Sequence, residues 1–245
     1  ARPSDPSRAV PGGRAVSHLS AQTTAGSMEV EVPTGDLGGT HPGTFGAAEA
    51  REMYDRWGDK YTESIEQWGY KTPEQIAKMV KDHCTKSDAP VLDLGAGDGL
   101  SGLALKAAGF SGDMTALDIS PKLLEIARAR GVYEHVMEAD LSIALPLESH
   151  HFGVVVCVGT LTYLKPTCGL VDEMVRVCQP GGVVGLNLRT DHIDAWTSTF
   201  ERLEKVGKWK LIERRGPVAY LPDHPDYTDK VQTVLFAFRV GKDSP

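Results

Sequence analysis

A glycine-rich loop between a buried strand and a helix is the feature that most constrains how this chain can fold. Residues 91–99 read Val-Leu-Asp-Leu-Gly-Ala-Gly-Asp-Gly, and helix-like sequence follows from Leu100. Because glycine has no Cβ, its backbone can turn sharply and lie close to a ligand. The first N–H groups of the following helix have no partner within that helix and can face the same ligand. The run therefore predicts a strand–loop–helix unit with a binding site at the loop.

Strands and helices alternate through most of the remaining sequence. The apolar runs predict strands over 90–94, 113–118, 135–139, 152–158, 183–188, 209–215 and 233–240, the last two as antiparallel neighbours. Periodicity and end signals predict helices over 47–61, 72–84, 100–108, 121–130, 168–178 and 193–206. Thr72 with Gln75 has the pattern of a capping box, Ser120 before Pro121 that of a capped helix start, and 180–182 that of a sharp turn. This alternation is typical of a doubly wound, Rossmann-like α/β sheet with helices on both faces.

Three of the predicted strands deliver an aspartate near their carboxyl ends. Asp93 lies at the end of the first strand, Asp118 ends the second and Asp140 follows the third. The carboxyl ends of parallel strands meet at one edge of the sheet, where open α/β folds bind their ligands. The three carboxylates and the glycine loop are therefore expected to form one site.

The loop is compatible with two kinds of cofactor. Residues 97–102 satisfy the dinucleotide pattern Gly-x-Gly-x-x-Gly, and Asp118 falls 21 residues after Gly97, where such enzymes hold a ribose-binding acid. The first glycine of this pattern should come directly after the strand, and here that residue is Gly95. Counted from Gly95, the position of the third glycine is occupied by Leu100, so the sequence fits the pattern poorly. None of the seven tyrosines has a lysine four residues later, the pair that one widespread reductase family uses. An NAD(P)-dependent oxidoreductase remains the alternative function.

An acidic loop is better suited to a cofactor that carries positive charge and no phosphate. Asp93 and Asp98 would repel a pyrophosphate group, whereas S-adenosylmethionine has a sulfonium, an α-ammonium group and a ribose diol. We expect Asp93 to hold the ammonium group, either directly or through water, and Asp118 to accept hydrogen bonds from both ribose hydroxyls. We expect Asp140 to accept from the adenine amino group, with Leu141 packing beside the ring. S-adenosylmethionine is therefore the predicted cofactor.

These motifs resemble those of the class I S-adenosylmethionine-dependent methyltransferases. The similarity is carried by 91–99, Asp118, 139–140 and 180–182. A narrower similarity, to the methyltransferase-like proteins encoded in the Williams–Beuren region, is carried by 54–57, 92–97, 107–112, 118–121, 127–128 and 157–159. The resemblance implies a seven-stranded sheet with its last strand antiparallel, in a domain over 46–245 whose N-terminal helices (46–84) fold over the cofactor. Asp98 departs from the Thr or Ser expected after the second loop glycine.

The predicted site combines the strand ends, the loops that follow them and the N-terminal helices. The predicted cofactor contacts are Tyr54, Trp57, Tyr61, Asp93, Gly95, Ala96, Gly97, Gly99, Asp118, Ile119, Asp140, Leu141 and Val158. The predicted acceptor contacts are Thr160, Tyr163, Arg189, His192, Tyr220 and His224. The aromatic faces of the N-terminal helices suit a sulfonium, although their helical spacing also indicates core packing. These residues form no recognisable catalytic set, and no metal motif is predicted.

The composition of the chain limits the kinds of partner that the protein is expected to bind. The 245 residues carry a net charge of −7, which makes a nucleic acid a poor partner. No apolar run approaches the length that spans a bilayer, and the four cysteines include no C-x-x-C pair, which favours a reducing, cytoplasmic location. We expect methyl transfer to a small molecule, with a protein acceptor also open; a cofactor-binding scaffold without turnover is the non-enzymatic alternative. Residues 1–45, rich in Gly, Pro, Ser and Thr, are predicted to be a disordered tail.

Overall fold

Seven strands form one sheet in the computed structural model, which describes residues 47–58, 60–225, 227 and 230–242. The strands are β1 Val91–Leu94, β2 Met114–Asp118, β3 His135–Glu138, β4 Phe152–Cys157, β5 Cys178–Arg189, β6 Trp209–Ala219 and β7 Gln232–Val240. Their order is β3-β2-β1-β4-β5-β7-β6. β7 runs antiparallel to both of its neighbours, and the pairs among β1 to β5 are parallel. The predicted mostly parallel sheet with an antiparallel last strand is confirmed.

Helices cover both faces of the sheet, as predicted. They are α1 Ala47–Trp57, α2 Lys60–Gln67, α3 Thr72–His83, α4 Leu100–Ala107, α5 Pro121–Ala129, α6 Leu170–Val177 and α7 Ile193–Lys205. Leu92 and Leu94 of β1 are buried in one core with α6 and α7, whereas Val91 is buried in a second core with α3 and α4. Alternate residues of a strand point to opposite faces, so one short strand contributes to both cores.

The N-terminal helical region differs from its prediction in two places. The expected helix over 47–61 is two helices, because Gly58 adopts a left-handed conformation with φ +45° between α1 and α2. The capping box at Thr72 was wrong: Lys71 occupies the N-cap position of α3, without a side-chain cap, and Thr72 is already helical. The cap at Ser120 is confirmed, since its Oγ accepts a hydrogen bond from the Leu123 N–H at 3.1 Å.

The turn predicted at 180–182 lies inside a strand. β5 begins at Cys178, and its pairing with β4 shifts register between Phe152 and Val154. Gly181, with φ +81°, absorbs the extra residues as an irregularity in the strand rather than as a break before it. The predicted strand over 183–188 was therefore too short at its start.

A third, smaller core lies under the N-terminal helices. Trp57 of α1 and Ile65 of α2 are buried against Leu221 and Tyr227, which belong to the connection between β6 and β7. We call this group the aromatic cluster. In the part of the chain that the structure describes, no helix combines the length and the apolar character needed to cross a membrane. The predicted tail, residues 1–45, lies outside the described residues.

Candidate cofactor and acceptor site

A cavity of about 440 Å³ lies where the carboxyl ends of β1, β2 and β4 meet helices α1 and α2. The predicted site residues that line it are Tyr54, Trp57, Tyr61, Gly95, Ala96, Gly97, Asp118, Ile119, Asp140, Leu141, Val158, Thr160, Tyr163 and Tyr220. The strand ends and the N-terminal helices thus meet at one place, as the topology requires. The residues predicted at the strand ends and those predicted on the N-terminal helices therefore line the same cavity.

The carboxylate of Asp118 is bonded directly to the glycine loop, residues 95–99. Its Oδ2 accepts from the Gly97 N–H at 2.8 Å, and its Oδ1 accepts from the Ser120 N–H at 2.9 Å. Burial raises the pKa of Asp118, while these backbone hydrogen bonds oppose the rise. Each carboxylate oxygen has a second lone pair, so both can still accept a hydrogen bond from a ligand in the cavity. This donor set fits a ribose diol.

Asp140 and Leu141 form the adjacent part of the cavity wall. Asp140 Oδ1 accepts from the Ser142 N–H at 2.8 Å, which fixes the turn after β3. The side chain of Leu141 is 6% exposed and belongs to the core that contains α6 and α7. A hydrogen-bond acceptor beside an apolar surface fits an adenine ring with its amino group.

Asp98 does not add the free negative charge that the sequence suggested. Its side chain is 2% exposed, and its Oδ2 lies 2.6 Å from Nη2 of Arg130 at the end of α5. Asp98 lines the cavity, but the guanidinium of Arg130 neutralises its charge. Sequence reasoning could not find this pair, because the two residues lie 32 positions apart without a motif that joins them.

Five half-buried tyrosines surround the rest of the cavity. Tyr54 lies edge-on to Tyr61 and Tyr163, with ring centroids 5.9 and 6.0 Å apart, and Tyr70 lies edge-on to Tyr220 at 5.4 Å. Burial, followed by the neighbouring tyrosines or carboxylates, raises the pKa of Tyr54, Tyr61, Tyr70 and Tyr220 above the usual value. Their hydroxyls are therefore neutral at physiological pH and can donate or accept hydrogen bonds. Tyr70 was not predicted, since its position just before α3 has no distinctive spacing.

A buried asparagine positions the loop after β4, and it was also missed. Asn187 Oδ1 accepts from the Gly159 N–H at 2.7 Å, and its Nδ2 donates to Oγ1 of Thr233 at 2.9 Å. Asn187 is 2% exposed. A polar residue in the otherwise apolar run 183–188 was the available sequence signal, because a buried amide needs partners.

Three of the predicted acceptor residues lie outside the cavity lining. Arg189 is 2% exposed and pairs with Asp191, with Nη2 and Oδ2 2.6 Å apart. His192 lies between Arg189 and α7, and burial lowers its pKa. His224 is buried with its ring centroid 4.3 Å from that of Trp68. The structure thus gives these residues packing contacts beside the site, which periodicity cannot distinguish from lining positions.

Two of the predicted cofactor residues also lie outside the cavity lining. Gly99 has φ +92° at the N-cap of α4, where a Cβ would lie 3.1 Å from both Arg130 and Tyr133. Asp93 is 1% exposed, and its Oδ2 accepts from the Tyr133 hydroxyl at 2.7 Å. The same hydroxyl accepts from the Gly102 N–H at 2.9 Å, so Asp93 supports the start of α4 from below the loop. Asp93 therefore lies behind the glycine loop and outside the cavity lining.

The ionisation of Asp93 gives a pH-dependent prediction. Burial raises the pKa of Asp93 to about 7, despite the opposing hydrogen bond from Tyr133, and Oδ1 is buried without a hydrogen-bond partner among the described residues. Between about pH 4 and 7 the folded protein therefore binds a proton that the unfolded chain releases, so this contribution to stability is lost as pH rises. Asp93→Asn removes the dependence, and its stability relative to wild type should rise by at most about 1.4 kcal/mol per pH unit across that window.

Urea unfolding of both proteins at pH 5 and pH 8 measures this difference. Asp113→Asn, at an exposed position just before β2, is the matched control. An Asp93→Asn effect of the same size at both pH values would contradict the prediction.

Comparison with known proteins agrees with this geometry. Residues 92–186 match the protein family described as a methyltransferase domain. The chain is 32% identical over 101 residues to a ubiquinone biosynthesis O-methyltransferase of Xylella fastidiosa, covering 39% of this chain and 40% of the relative. It is 32% identical over 139 residues to a demethylmenaquinone methyltransferase of Clavibacter sepedonicus, covering 55% of this chain and 52% of the relative. The chain therefore spans about half or less of the length of these curated relatives.

A solved structure shares the fold. The S-adenosylmethionine-dependent methyltransferase of Mesorhizobium loti aligns with a TM-score of 0.53 at 18% identity, covering 67% of this chain and 95% of that chain. Residues 92–186 thus match a methyltransferase domain, and the seven-stranded sheet shares the fold of an S-adenosylmethionine-dependent methyltransferase.

Proposed function

We propose that the whole protein transfers the methyl group of S-adenosylmethionine to a small molecule in the cytoplasm. The observation that carries this proposal is the position of the Asp118 carboxylate, which lines the cavity while it accepts from the Gly97 N–H of the glycine loop. The finer similarity to the methyltransferase-like proteins of the Williams–Beuren region, carried by 107–112 among other segments, is part of the same proposal. The domain is proposed to extend over 46–245.

The residues at the strand ends are suited to bind and orient the cofactor. Asp118 would hold the two ribose hydroxyls, and Asp140 with Leu141 would hold the adenine. The backbone of 95–97 allows close approach, because these positions line the cavity with glycine and alanine. Bound S-adenosylmethionine supplies a methyl group on a sulfonium, which an acceptor takes by in-line displacement. Tyr54 offers an aromatic surface for a cation on the opposite wall.

The other end of the cavity is suited to a small, weakly charged acceptor. Thr160, Tyr163 and Tyr220 line it with neutral hydroxyls, and Tyr70 extends the same surface. These groups can orient an acceptor by hydrogen bonds, while the enclosing aromatic rings exclude water from the reacting atoms. The names of the two curated relatives refer to ubiquinone biosynthesis and to demethylmenaquinone, which supports a small organic molecule as the acceptor.

Binding of the cofactor is the first test of this function. Isothermal titration of the folded protein should show saturable binding of both S-adenosylmethionine and S-adenosylhomocysteine, because both share the ribose and adenine groups that the strand ends are proposed to hold. NADH is the matched control ligand and should show no competition. Lack of binding to both sulfur nucleosides, or NADH binding that neither displaces, would refute the proposal.

Turnover separates an enzyme from a cofactor-binding scaffold. The protein is incubated with methyl-labelled S-adenosylmethionine and a fractionated metabolite extract, and label in a small-molecule fraction is measured. We expect labelled product that depends on both the protein and the extract. Binding of cofactor with no labelled product in any fraction would favour the scaffold, and label only in protein would favour a protein acceptor.

A further inference from the structure

Three polar side chains join helix α2 to the glycine loop and to the end of α5. Oγ1 of Thr62 donates to Oδ2 of Asp98 at 2.5 Å, and Nη2 of Arg130 donates to the same oxygen at 2.6 Å. Nε of Arg130 also donates to the backbone carbonyl of Asp98 at 2.5 Å. The side chains of Asp98 and Arg130 are 2% and 17% exposed. This group is therefore a charge-assisted network that water reaches only poorly.

The network links two walls of the cavity. Asp98 lies between Gly97 and Gly99, and the N–H of Gly97 donates to the ribose-binding candidate Asp118. On the other side, α2 contributes Tyr61 and Ile65 to the cavity lining. A displacement of α2 away from the loop must therefore separate Thr62 from Asp98 and open that wall.

Two further polar links to the rest of the domain lie on α1. Arg51 pairs with Glu138 at 2.7 Å, but their side chains are 44% and 47% exposed, and such pairs contribute little. Asp55 accepts from Oγ of Ser120 at 2.5 Å, which ties α1 to the start of α5. The apolar contacts of α1 and α2 lie mainly in the aromatic cluster, which is separate from the two cores of the sheet. Helix α2 therefore contributes no buried residue to those two cores.

We propose that Thr62, Asp98 and Arg130 form a latch that holds α2 over the glycine loop and slows release of the cofactor. All three are positioning residues, and the part that concerns release rests on the proposed function. Arg130 holds the Asp98 carboxylate in place, and Thr62 couples that fixed acceptor to α2. Asp98, which stands where Thr or Ser was expected in this loop, thus has a specific role. Only a carboxylate can accept hydrogen bonds from both Thr62 and Arg130 at once with full charge assistance.

The latch is tested first without ligand. Thr62→Val removes the hydroxyl and keeps the shape, whereas Thr62→Ser keeps the hydroxyl. Hydrogen exchange on the millisecond-to-second timescale should show amides of 60–67 opening about tenfold more often in the Val variant, the effect of one lost hydrogen bond to a charged group, and near wild-type exchange in the Ser variant. Thr197→Val, at an exposed position of α7, is the matched control. Equal exchange in the Val and Ser variants overturns the latch.

The second readout is cofactor residence. Labelled S-adenosylhomocysteine is bound, chased with unlabelled ligand, and its retention is followed over time. Release from Thr62→Val should be about tenfold faster than from Thr62→Ser or wild type, with a fall of only a few degrees in the temperature of unfolding. Unchanged release overturns the functional part of the inference. A wild-type protein that binds no sulfur nucleoside would instead refute the proposed function, and the exchange experiment would still decide whether the latch exists.

Discussion

Replacing Asp118 by alanine should weaken the binding of S-adenosylhomocysteine about 100-fold, or about 2.7 kcal/mol. The variant loses the only side-chain carboxylate that both lines the cavity and accepts from the glycine loop in the described structure. Two hydrogen bonds from ribose hydroxyls to a charged acceptor would be lost, and each contributes on the order of 1.5 to 3 kcal/mol. Part of that loss of binding free energy is recovered, because water can occupy the space left by the Asp118 carboxylate and bond to the ribose hydroxyls. Isothermal titration measures the change.

The same substitution also removes the acceptor for the Gly97 and Ser120 N–H groups, so stability must be measured beside affinity. Asp118→Asn keeps one acceptor oxygen and should lose less affinity than the alanine variant. Asp194→Ala, at an exposed position in the first turn of α7, is the matched control and should leave binding unchanged. Folded Asp118→Ala protein with wild-type affinity would show that the ribose is held elsewhere.

The fold and most of the cavity were predictable because they depend on local patterns. An apolar run that ends in glycines specifies a strand and a tight turn, and alternation of strands with helices leaves few topologies for a parallel sheet. The positions of Asp118 and Asp140 follow from that topology, since parallel strands bring their carboxyl ends to one edge. The antiparallel placement of the last strand came from the family resemblance, and the register of β7 against β5 agrees with it.

The details that were not predictable depend on contacts between distant residues. Asp93 has the sequence position of a cofactor ligand, but its carboxylate lies below the loop. There it accepts a hydrogen bond from the hydroxyl of Tyr133, 40 residues away. The sequence suggests an uncompensated charge at Asp98, but in the structure Arg130 lies beside it and pairs with it. His224 has the chemistry of a base, yet it is buried against Trp68. Side-chain partners of this kind are set by tertiary packing, about which periodicity and spacing carry no information.

Replacing Gly95 by alanine should lower the free energy of unfolding by about 3 kcal/mol and abolish cofactor binding. Gly95 has φ +73°, a left-handed conformation that costs an alanine roughly 1 to 2 kcal/mol. An added Cβ would lie 2.1 Å from Oγ1 of Thr160, so the loop after β4 or the glycine loop must shift. Overpacking of this kind costs a further 1 to 3 kcal/mol or so. Urea unfolding measures the stability, and titration with S-adenosylhomocysteine measures the binding.

Gly131 distinguishes the cost of the left-handed backbone conformation from the cost of the steric clash. It has the same left-handed conformation as Gly95, but no neighbouring atoms would clash with an added Cβ. Its φ is +65°, and nothing lies within 4 Å of an added Cβ, so Gly131→Ala should cost only about 1 kcal/mol. Thr160→Gly removes the atoms that clash, so the double variant Gly95→Ala/Thr160→Gly should recover part of the stability lost by Gly95→Ala. Equal costs at Gly95 and Gly131 would mean that backbone conformation alone selects glycine in the loop. A larger cost at Gly95 than at Gly131, relieved by Thr160→Gly, would instead mean that glycine is required because the two loops that form the cavity approach each other closely.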